Sequence, residues 1–405
     1  MSNSIKRVSL TSLLLVAMLL LGACATRKAP PVTPKEPAAA PAPAPVPVPP
    51  GAARPGDHLR RTTFAELPGW GDDDLRAAWP ALLASCAALS AKPGWQEACT
   101  GAPAVDASSL SAVREFFESR FVPHQVRNPD GSVAGTVTGY YEPLLRGART
   151  RRGQFQTPLH GPPPDLVTVD LATLYPELKS LRLRGRLVGN RLVPYPSRAE
   201  MERLSLLAGR ELLWVDDPVD AFFLQVQGSG RVRLEETGET VRVAYADQNG
   251  HPYRSIGRYL VDRGELTLDR ASMQGIKSWV AANPTRLPEL LNANPSYVFF
   301  REEKVVDPAQ GPRGALGVPL VPQRSIAVDP QFIPLGAPVF LMTTLPNSSS
   351  PLRRLVMAQD TGGAIRNPVR ADYFWGFGPD AGEAAGRMKQ VGQMWVLLPL
   401  ALSAP

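Results

Sequence analysis

The chain has 405 residues, of which 44 are lysine or arginine and 37 are aspartate or glutamate, so its formal net charge is +7. No stretch interleaves aromatic and basic residues in the manner of single-strand-binding proteins, so nucleic acid is not a predicted partner. The four histidines and three cysteines occur at no metal-ligand spacing, and there is no phosphate-binding glycine-rich loop. We therefore predict no metal and no cofactor.

The first 23 residues are typical of a bacterial lipoprotein signal peptide. Lys6 and Arg7 precede an apolar run over 8–21, which is short for a membrane span, and Leu-Gly-Ala then leads into Cys24. This pattern resembles a lipobox, which predicts cleavage before Cys24 and lipidation of that cysteine. Ala25 follows in place of the aspartate that retains such proteins in the inner membrane, which favours the outer membrane. The alternative is an ordinary secretory signal with a chance cysteine.

Residues 24–56 are predicted to form the lipidated cysteine and a linker that follows it. Proline and alanine dominate 29–55, a composition that favours extended polyproline II and cannot form a core. A tether with a semi-rigid spacer suits a folded part that acts on the periplasmic cell wall, away from the membrane. An exported protein does not meet the genome, which again disfavours nucleic acid. The mild positive charge suits a carboxylate-rich wall polymer, although general surface solubility explains it equally well.

Helices are predicted mainly in the first part of the remaining chain. Acidic residues begin the segment 72–89, Ser109 is a candidate N-cap for 108–121, and a third segment, 272–284, stops at a proline. Cys86 and Cys99 belong to this part, and in an oxidising compartment they predict a disulfide. Metal binding by these cysteines is the weak alternative.

Most of the later sequence predicts strands and turns. Alternating or apolar runs bounded by glycine and proline occupy 131–147, 325–342, 353–363 and 393–400, and we interpret 221–250 as two or more strands around Gly-Ser-Gly. Such runs suit the buried strands of a barrel. The length favours two domains. The predicted fold class is therefore mainly β, with a few helices in the N-terminal part.

Carboxylates are the best candidates for chemistry, because there is no G-x-S-x-G nucleophile elbow and no free thiol is expected. Asp329, Asp360 and Asp372 lie at the ends of predicted late strands, where each also suits an ordinary turn. Asp372 differs because Tyr373, Phe374, Trp375 and Phe377 follow it directly or closely. A carboxyl group among aromatic rings is desolvated, so its pKa rises and it can act as a general acid. Glu142, after a pair of tyrosines, is a rival acid.

Several segments together resemble the membrane-bound lytic murein transglycosylase A family, whose C-terminal part is called the three-aspartate domain. The segments "TGYYEPLLRG", "FFLQVQGSGRVRL", "AQDTGGAI" and "RADYFWGFG" occur in the family's order between Thr138 and Leu398. The resemblance implies a double-psi β-barrel catalytic domain, 57–144 plus 298–400, and an inserted β domain, 145–297. Between them the two domains would form a groove for glycan.

The resemblance also implies the reaction and the residue roles. The enzyme would be a peptidoglycan lytic transglycosylase, a lyase that cleaves the β-1,4 bond between N-acetylmuramic acid and N-acetylglucosamine and leaves a 1,6-anhydromuramic end. Motif by motif, the catalytic aspartate falls on Asp372, with Asp360 and Asp329 as supporting carboxylates. The implied groove-lining residues are Tyr140, Tyr141, Gln227, Gly228, Ser229 and Gly230, although either tyrosine would fit the core equally well. Arg366 and Asn367 stand where the family commonly has a basic residue and glycine, and asparagine tolerates the left-handed backbone.

Peptidoglycan strands are the expected substrate, the periplasmic face of the outer membrane is the expected location, and wall-remodelling proteins are candidate partners. Two other hypotheses remain open. A two-carboxylate glycosidase would use Asp360 together with Asp372. A non-catalytic wall-binding lipoprotein would use the same groove as a lectin.

Overall fold

A computed structural model of the chain describes residues 58–403, apart from 179, 180, 182 and 306. All described residues belong to one compact unit. The predicted signal peptide, the lipidation site at Cys24 and the linker through residue 56 lie outside the described residues. In the described part, no helix is long and apolar enough to cross a membrane.

The described residues contain nine α-helices, which we number in chain order. They are α1 (Trp79–Leu89), α2 (Gln96–Gly101), α3 (Leu110–Arg120), α4 (Arg198–Arg203), α5 (Pro218–Gln227), α6 (Ile256–Asp262), α7 (Met273–Ala282), α8 (Leu287–Asn292) and α9 (Pro379–Arg387). The predicted N-terminal helices and the helix before Pro284 are present. The prediction that helices lie mainly in the N-terminal part is wrong, because α4 to α8 lie in the middle of the chain and α9 lies near its end.

Seventeen strands account for most of the remaining regular structure of the described residues. They are β1 (Leu59–Arg61), β2 (Phe121–Val126), β3 (Gly135–Glu142), β4 (Leu144–Ala148), β5 (Thr157–His160), β6 (Val167–Thr168), β7 (Arg184–Val188), β8 (Arg191–Pro194), β9 (Glu211–Val215), β10 (Ser229–Leu234), β11 (Thr240–Gln248), β12 (Val298–Lys304), β13 (Ser325–Val328), β14 (Pro338–Thr344), β15 (Pro351–Asp360), β16 (Arg370–Phe377) and β17 (Lys389–Pro399). The fold is mainly β, as predicted.

Eight strands form the larger sheet, in the order β1-β2-β17-β14-β15-β13-β16-β3. Strand β3 also pairs with β17, so the end of the sheet connects back to an inner strand. Two pairs are parallel, β13 with β15 and β3 with β16, while β13 and β16 are antiparallel. The register places Asp360 of β15 and Asp372 of β16 on either side of the same residue of β13, Ala327, and it places Thr138 of β3 beside Asp372.

The N-terminal helices cover the larger sheet. The Ser109 side chain accepts a hydrogen bond from the backbone N–H of Ala112 (3.3 Å), which caps α3 as predicted. The buried residues of α3 pack into the same core as the apolar residues of β14, β15 and β17. Cys86 of α1 and Cys99 of α2 form a disulfide.

The second sheet has six strands in the order β12-β11-β10-β4-β9-β5, and a small third sheet contains β6, β7 and β8. The predicted domain boundaries after 144 and before 298 stay a prediction. By pairing, however, both β4, which begins at Leu144, and β12 belong to the six-stranded sheet. That sheet has its own apolar core, built from residues such as Leu159, Leu213 and Val232.

One strand prediction is wrong: the residues 221–227 belong to helix α5 and not to a strand. The Asp217 side chain accepts hydrogen bonds from the N–H groups of Val219 (2.7 Å) and Asp220 (3.1 Å), and Pro218 stands at the first helical position. Gly228 ends the helix with a left-handed backbone, φ 83°. The apolar run alone is compatible with either a strand or a helix, and the capping residues on both sides of it favour the helix.

Candidate active site

Asp372 is the third residue of β16, which lies between β13 and β3. Its backbone pairs with Ala327 on one side and with Thr138 on the other. The Thr138 hydroxyl donates a hydrogen bond of 2.6 Å to Oδ1 of Asp372, and Nη2 of Arg370 donates one of 2.8 Å to the oxygen of that hydroxyl. Since a guanidinium has no acceptor, the Thr138 proton is directed to the carboxylate.

The environment of Asp372 raises the pKa of its carboxyl group from 3.8 to about 6. Burial is the largest cause, because it disfavours the charged form, and the nearby charge of Asp360 acts in the same direction. The hydrogen bond from Thr138 and the positive charge of Arg370 lower the pKa and offset part of the shift. A carboxyl group with this pKa exists in both protonation states near neutral pH, which suits proton transfer in either direction.

The aromatic residues after Asp372 are divided between the two faces of β16. Side chains alternate along a strand, so Phe374 shares the face of Asp372 while Tyr373 and Trp375 lie on the opposite face. Tyr373 is fully buried and donates a hydrogen bond to the carbonyl of Gln323 (2.9 Å). The pKa of Asp372 is raised, as predicted, but of the three aromatic residues that directly follow it only Phe374 lies on the same face of the strand.

Asp360 ends β15 and acts as an acceptor on both carboxylate oxygens. Its Oδ1 accepts from the backbone N–H groups of Ala315 (2.9 Å) and Thr361 (2.8 Å), and its Oδ2 accepts from the hydroxyl of Tyr140 (3.1 Å). The Tyr140 ring packs against Phe374 at a centroid distance of 5.1 Å and is 8% exposed. Asp360 therefore fixes both its own loop and the Tyr140 side chain.

Asp329 follows β13 and is almost fully buried. Its carboxylate accepts from the backbone N–H groups of Gln331 (3.2 Å) and Asn367 (3.1 Å), and Arg366 lies 3.9 Å from it. Asn367 has a left-handed backbone, φ 88°, as the sequence suggested for this position. Asp329 thus holds the loop between β15 and β16, which ends where the strand of Asp372 begins.

The Gly-Ser-Gly segment lies against the end of β3. The side-chain oxygen of Gln227 accepts a hydrogen bond from the backbone N–H of Tyr141 (3.1 Å), which joins the end of α5 to the larger sheet. Position 230 requires glycine because the Leu224 side chain packs closely against its backbone: a Cβ atom at this position would lie 2.4 Å from Leu224 Cδ1. Ser229 and Tyr141 are both partly exposed. Tyr140, in contrast, is largely part of the core.

Glu142, the rival acid, is fully buried between two arginines. Its Oε2 accepts from Nε of Arg231 (3.0 Å) and its Oε1 from Nε of Arg242 (2.5 Å). Both oxygens are therefore occupied by cations, and the carboxylate is inaccessible to a substrate. Glu142 stabilises the junction between β3 and the six-stranded sheet.

Sequence reasoning missed Thr138 and Arg370. Arg370 precedes Asp372 by two residues, so the alternation of side chains along a strand would have placed it on the same face. No local signal connects Thr138 to Asp372, because their contact follows from the pairing of β3 with β16. Within the described residues, no group of three or more His, Cys, Asp or Glu side chains could hold a metal ion.

Comparison with known proteins connects this arrangement to one family. The sequence model of the MltA specific insert domain matches residues 136–301, and that of the 3D domain matches residues 324–398. The membrane-bound lytic murein transglycosylase A of Escherichia coli K12 is 35% identical over 266 residues. That match spans 64% of this chain and 64% of the length of the relative.

Two solved structures are also similar. The lytic transglycosylase LtgG of Burkholderia pseudomallei is 51% identical, with a TM-score of 0.56, over 85% of this chain and 96% of the other. The E. coli MltA structure with bound chitohexaose is 29% identical, with a TM-score of 0.61, over 80% of this chain and 89% of the other. The chain therefore belongs to the membrane-bound lytic murein transglycosylase A family.

Proposed function

We propose that the protein is a lytic transglycosylase that cleaves the β-1,4 bond between N-acetylmuramic acid and N-acetylglucosamine in peptidoglycan. The observation that carries the proposal is the carboxyl group of Asp372. It is partly buried, has a pKa near 6 and is hydrogen-bonded to Thr138 through one oxygen, Oδ1. The relatives of this chain are named lytic transglycosylases, and the structure of one of them contains bound chitohexaose.

In the first step, Asp372 acts as a general acid. Its carboxyl group donates a proton to the glycosidic oxygen while the bond from that oxygen to C1 of the muramic residue breaks. The leaving sugar takes the electron pair of the broken bond together with the proton. Since the hydroxyl of Thr138 donates to Oδ1, Oδ2 is the oxygen that carries the transferable proton. The 3.1 Å bond from Tyr140 holds Asp360, whose charge keeps that proton on Asp372.

In the second step, the same carboxylate acts as a base. It takes the proton of the muramic 6-hydroxyl as that oxygen forms a bond to C1, which yields the 1,6-anhydro end and restores the acid. A hydrolase needs a second carboxylate as nucleophile or to activate water. Here the nucleophile belongs to the substrate and is already close, so a single aspartate suffices. Asp360 is not needed as a second catalytic carboxylate in this scheme, and both of its oxygens already accept hydrogen bonds from within the protein.

The proposal extends to the domain that holds Asp372 and to the location. The larger sheet, with parallel and antiparallel pairs and the additional β3–β17 pairing, is consistent with a double-psi β-barrel. Tyr141, Gln227 and Ser229 are the proposed glycan contacts, since they are partly exposed and lie where α5 meets β3. Cys24 would carry the lipid that anchors the protein to the outer membrane, as the membrane-bound name of the relatives suggests.

The test is digestion of purified sacculi by the wild type and by Asp372→Asn, with mass spectrometry of the soluble products. We expect 1,6-anhydromuramic ends from the wild type and no soluble product from the variant. Reducing muramic ends would instead indicate a glycosidase that uses water. Binding to sacculi without any soluble product at any pH would indicate a lectin.

A further inference from the structure

A cavity lies in the middle part of the chain, and Asp372 is not among its lining residues. We call it the insert pocket; it has a volume of about 450 Å³ and lies between β5, β9 and the helices α4, α5 and α8. None of its lining residues belongs to the larger sheet, since all of them fall between 156 and 297. A volume of this size is in the range of pockets that bind small ligands.

Arg198 is a buried cation on the wall of the insert pocket. Its guanidinium lies between the rings of Phe222 and Tyr297, with its central carbon 4.9 Å and 4.7 Å from the ring centroids, and the residue is 8% exposed. Nε donates to the carbonyl of Asn294 (3.2 Å), while Nη2 donates to the side-chain oxygen of Gln225 (2.6 Å) and to the carbonyl of Ser296 (2.8 Å). The cation is thus held in one orientation.

Arg198 forms no ion pair among the described residues, although the charge of Glu202, which also lines the pocket, acts on it from a greater distance. Among the described residues, its hydrogen-bond acceptors are two carbonyls and an amide, and none of the ion pairs includes it. Burial lowers the pKa of its guanidinium to about 10, the direction expected of a buried cation with too little compensation. Because buried charges in proteins are normally paired, this arrangement indicates a carboxylate that comes from a ligand.

The remainder of the insert pocket defines the other parts of such a ligand. Most of the wall is apolar, with Met201, Ala221 and Leu291 among its members, so it suits small apolar groups. Glu202 and Glu211 also line it and suit an ammonium group. Nearby, Asn292 donates from Nδ2 to Glu202 (2.7 Å), but its Oδ1 is buried without a hydrogen-bond partner among the described residues. A buried acceptor without a donor indicates that a water molecule or a ligand completes the site.

We propose that the insert pocket binds a peptide stem of peptidoglycan, with a stem carboxylate at Arg198, alanine side chains on the apolar wall and the ammonium group of the diamino acid near Glu202 and Glu211. The identity of the peptide rests on the proposed function. The insert pocket is separate from the glycan contacts, because Gln225 lies in the pocket and Gln227 contacts Tyr141. Residues two positions apart in a helix, such as Gln225 and Gln227, are separated by about 200° around its axis, so the two sites lie on different faces of α5.

The experiment measures binding of a synthetic stem tetrapeptide that ends in D-alanine to the whole chain carrying Asp372→Asn. Calorimetry gives the affinity, and NMR shifts locate the peptide. We expect Arg198→Met to weaken binding by about ten- to a hundredfold, the loss of a charge-assisted hydrogen bond. Ala208→Trp should weaken it similarly, because Ala208 is an exposed residue on the wall of the pocket and an indole there blocks it without changing the core. Ala281→Trp, at an exposed position of α7 outside the pocket, is the matched control and should bind normally.

Three results would overturn the proposal: no saturable binding, binding that neither Arg198→Met nor Ala208→Trp weakens, or equal binding of a tetrapeptide that ends in L-alanine. The last result would assign the insert pocket to ordinary protein C-termini. Glycan cleavage is measured separately on the wild type. If the wild type does not cleave glycan but the peptide still binds, the proposed reaction is refuted and the peptide site is not. If the wild type cleaves glycan but the peptide does not bind, the peptide site alone is refuted.

Discussion

Replacement of Asp372 by asparagine should abolish glycan cleavage and at the same time stabilise the fold. The folded-state pKa of Asp372 is about 6, while an aspartate in an unfolded chain titrates near 3.9. The folded state therefore holds its proton more tightly, and the free energy of unfolding falls as the pH rises between these two values. A difference of about 2 pKa units corresponds to about 3 kcal/mol at neutral pH, because each unit is worth about 1.4 kcal/mol.

The assay is urea unfolding of the wild type and of Asp372→Asn across the range from about pH 4 to about pH 7.5. Asparagine has the same shape and still accepts from Thr138, but it has no charge to desolvate. The stability difference should therefore be small at the acidic end and should grow to about 2–3 kcal/mol in favour of the variant at the neutral end. Other titrating groups contribute to both proteins alike and cancel in the difference.

Asp269→Asn is the matched control, since Asp269 is exposed and its replacement should leave the stability difference near zero throughout. A stability difference between the wild type and Asp372→Asn that does not change with pH would refute the raised pKa, and with it the reasoning for a general acid. A variant that is inactive and also less stable at neutral pH would indicate that the carboxylate has a structural role instead.

Three further substitutions test the surroundings of the site. Thr138→Val removes the hydrogen bond that lowers the pKa of Asp372, so the acid remains protonated to higher pH and the alkaline limb of kcat/KM should shift upward by about one pH unit. Asp360→Asn removes a negative charge that raises this pKa, so the same limb should shift to lower pH, by less than about one unit. Glu142→Gln leaves two buried arginines without a counter-charge and should cost about 3–5 kcal/mol in urea unfolding, with the pH profile unchanged.

Each of these outcomes has an opposite that would count against the interpretation. A downward shift for Thr138→Val would mean that the hydroxyl does not donate to the carboxylate. An upward shift for Asp360→Asn would exclude a charge effect of Asp360 on Asp372. A Glu142→Gln variant of normal stability but without activity would make Glu142 a participant in catalysis.

Much of the local structure follows from the sequence, because it depends on nearby residues. Ser109 predicts the start of α3, and Asn367 adopts the left-handed backbone expected at its position. The secondary-structure prediction was wrong for a segment whose apolar composition and flanking residues favour different elements. The apolar run 221–227 was assigned to a strand, although Asp217, Pro218 and Gly228 carry the signals of a helix with both caps.

The acidic run at 72–74 shows why the remaining contacts were not predictable. All three aspartates suit the first turn of a helix, but the structure gives them different roles. Asp74 caps a short 3-10 helix, Leu75–Ala78, while the buried Asp73 pairs with Arg324 at 2.7 Å and 2.9 Å. That ion pair joins residues 251 positions apart, so no local pattern contains it.

The candidate site divides in the same way. By itself the sequence predicted a mainly β fold, which the structure confirms, and it also predicted export and the choice of Asp372, since signal, periodicity and motif are all properties of neighbouring residues. Only the tertiary structure decided that Thr138 and Arg370 hold Asp372, that Tyr140 and Asp360 are joined, and that Glu142 is a buried ion-pair partner. The pKa of Asp372 depends on burial and on charges brought close by β3, β15 and β16, and pairing between distant strands exists only in the folded chain.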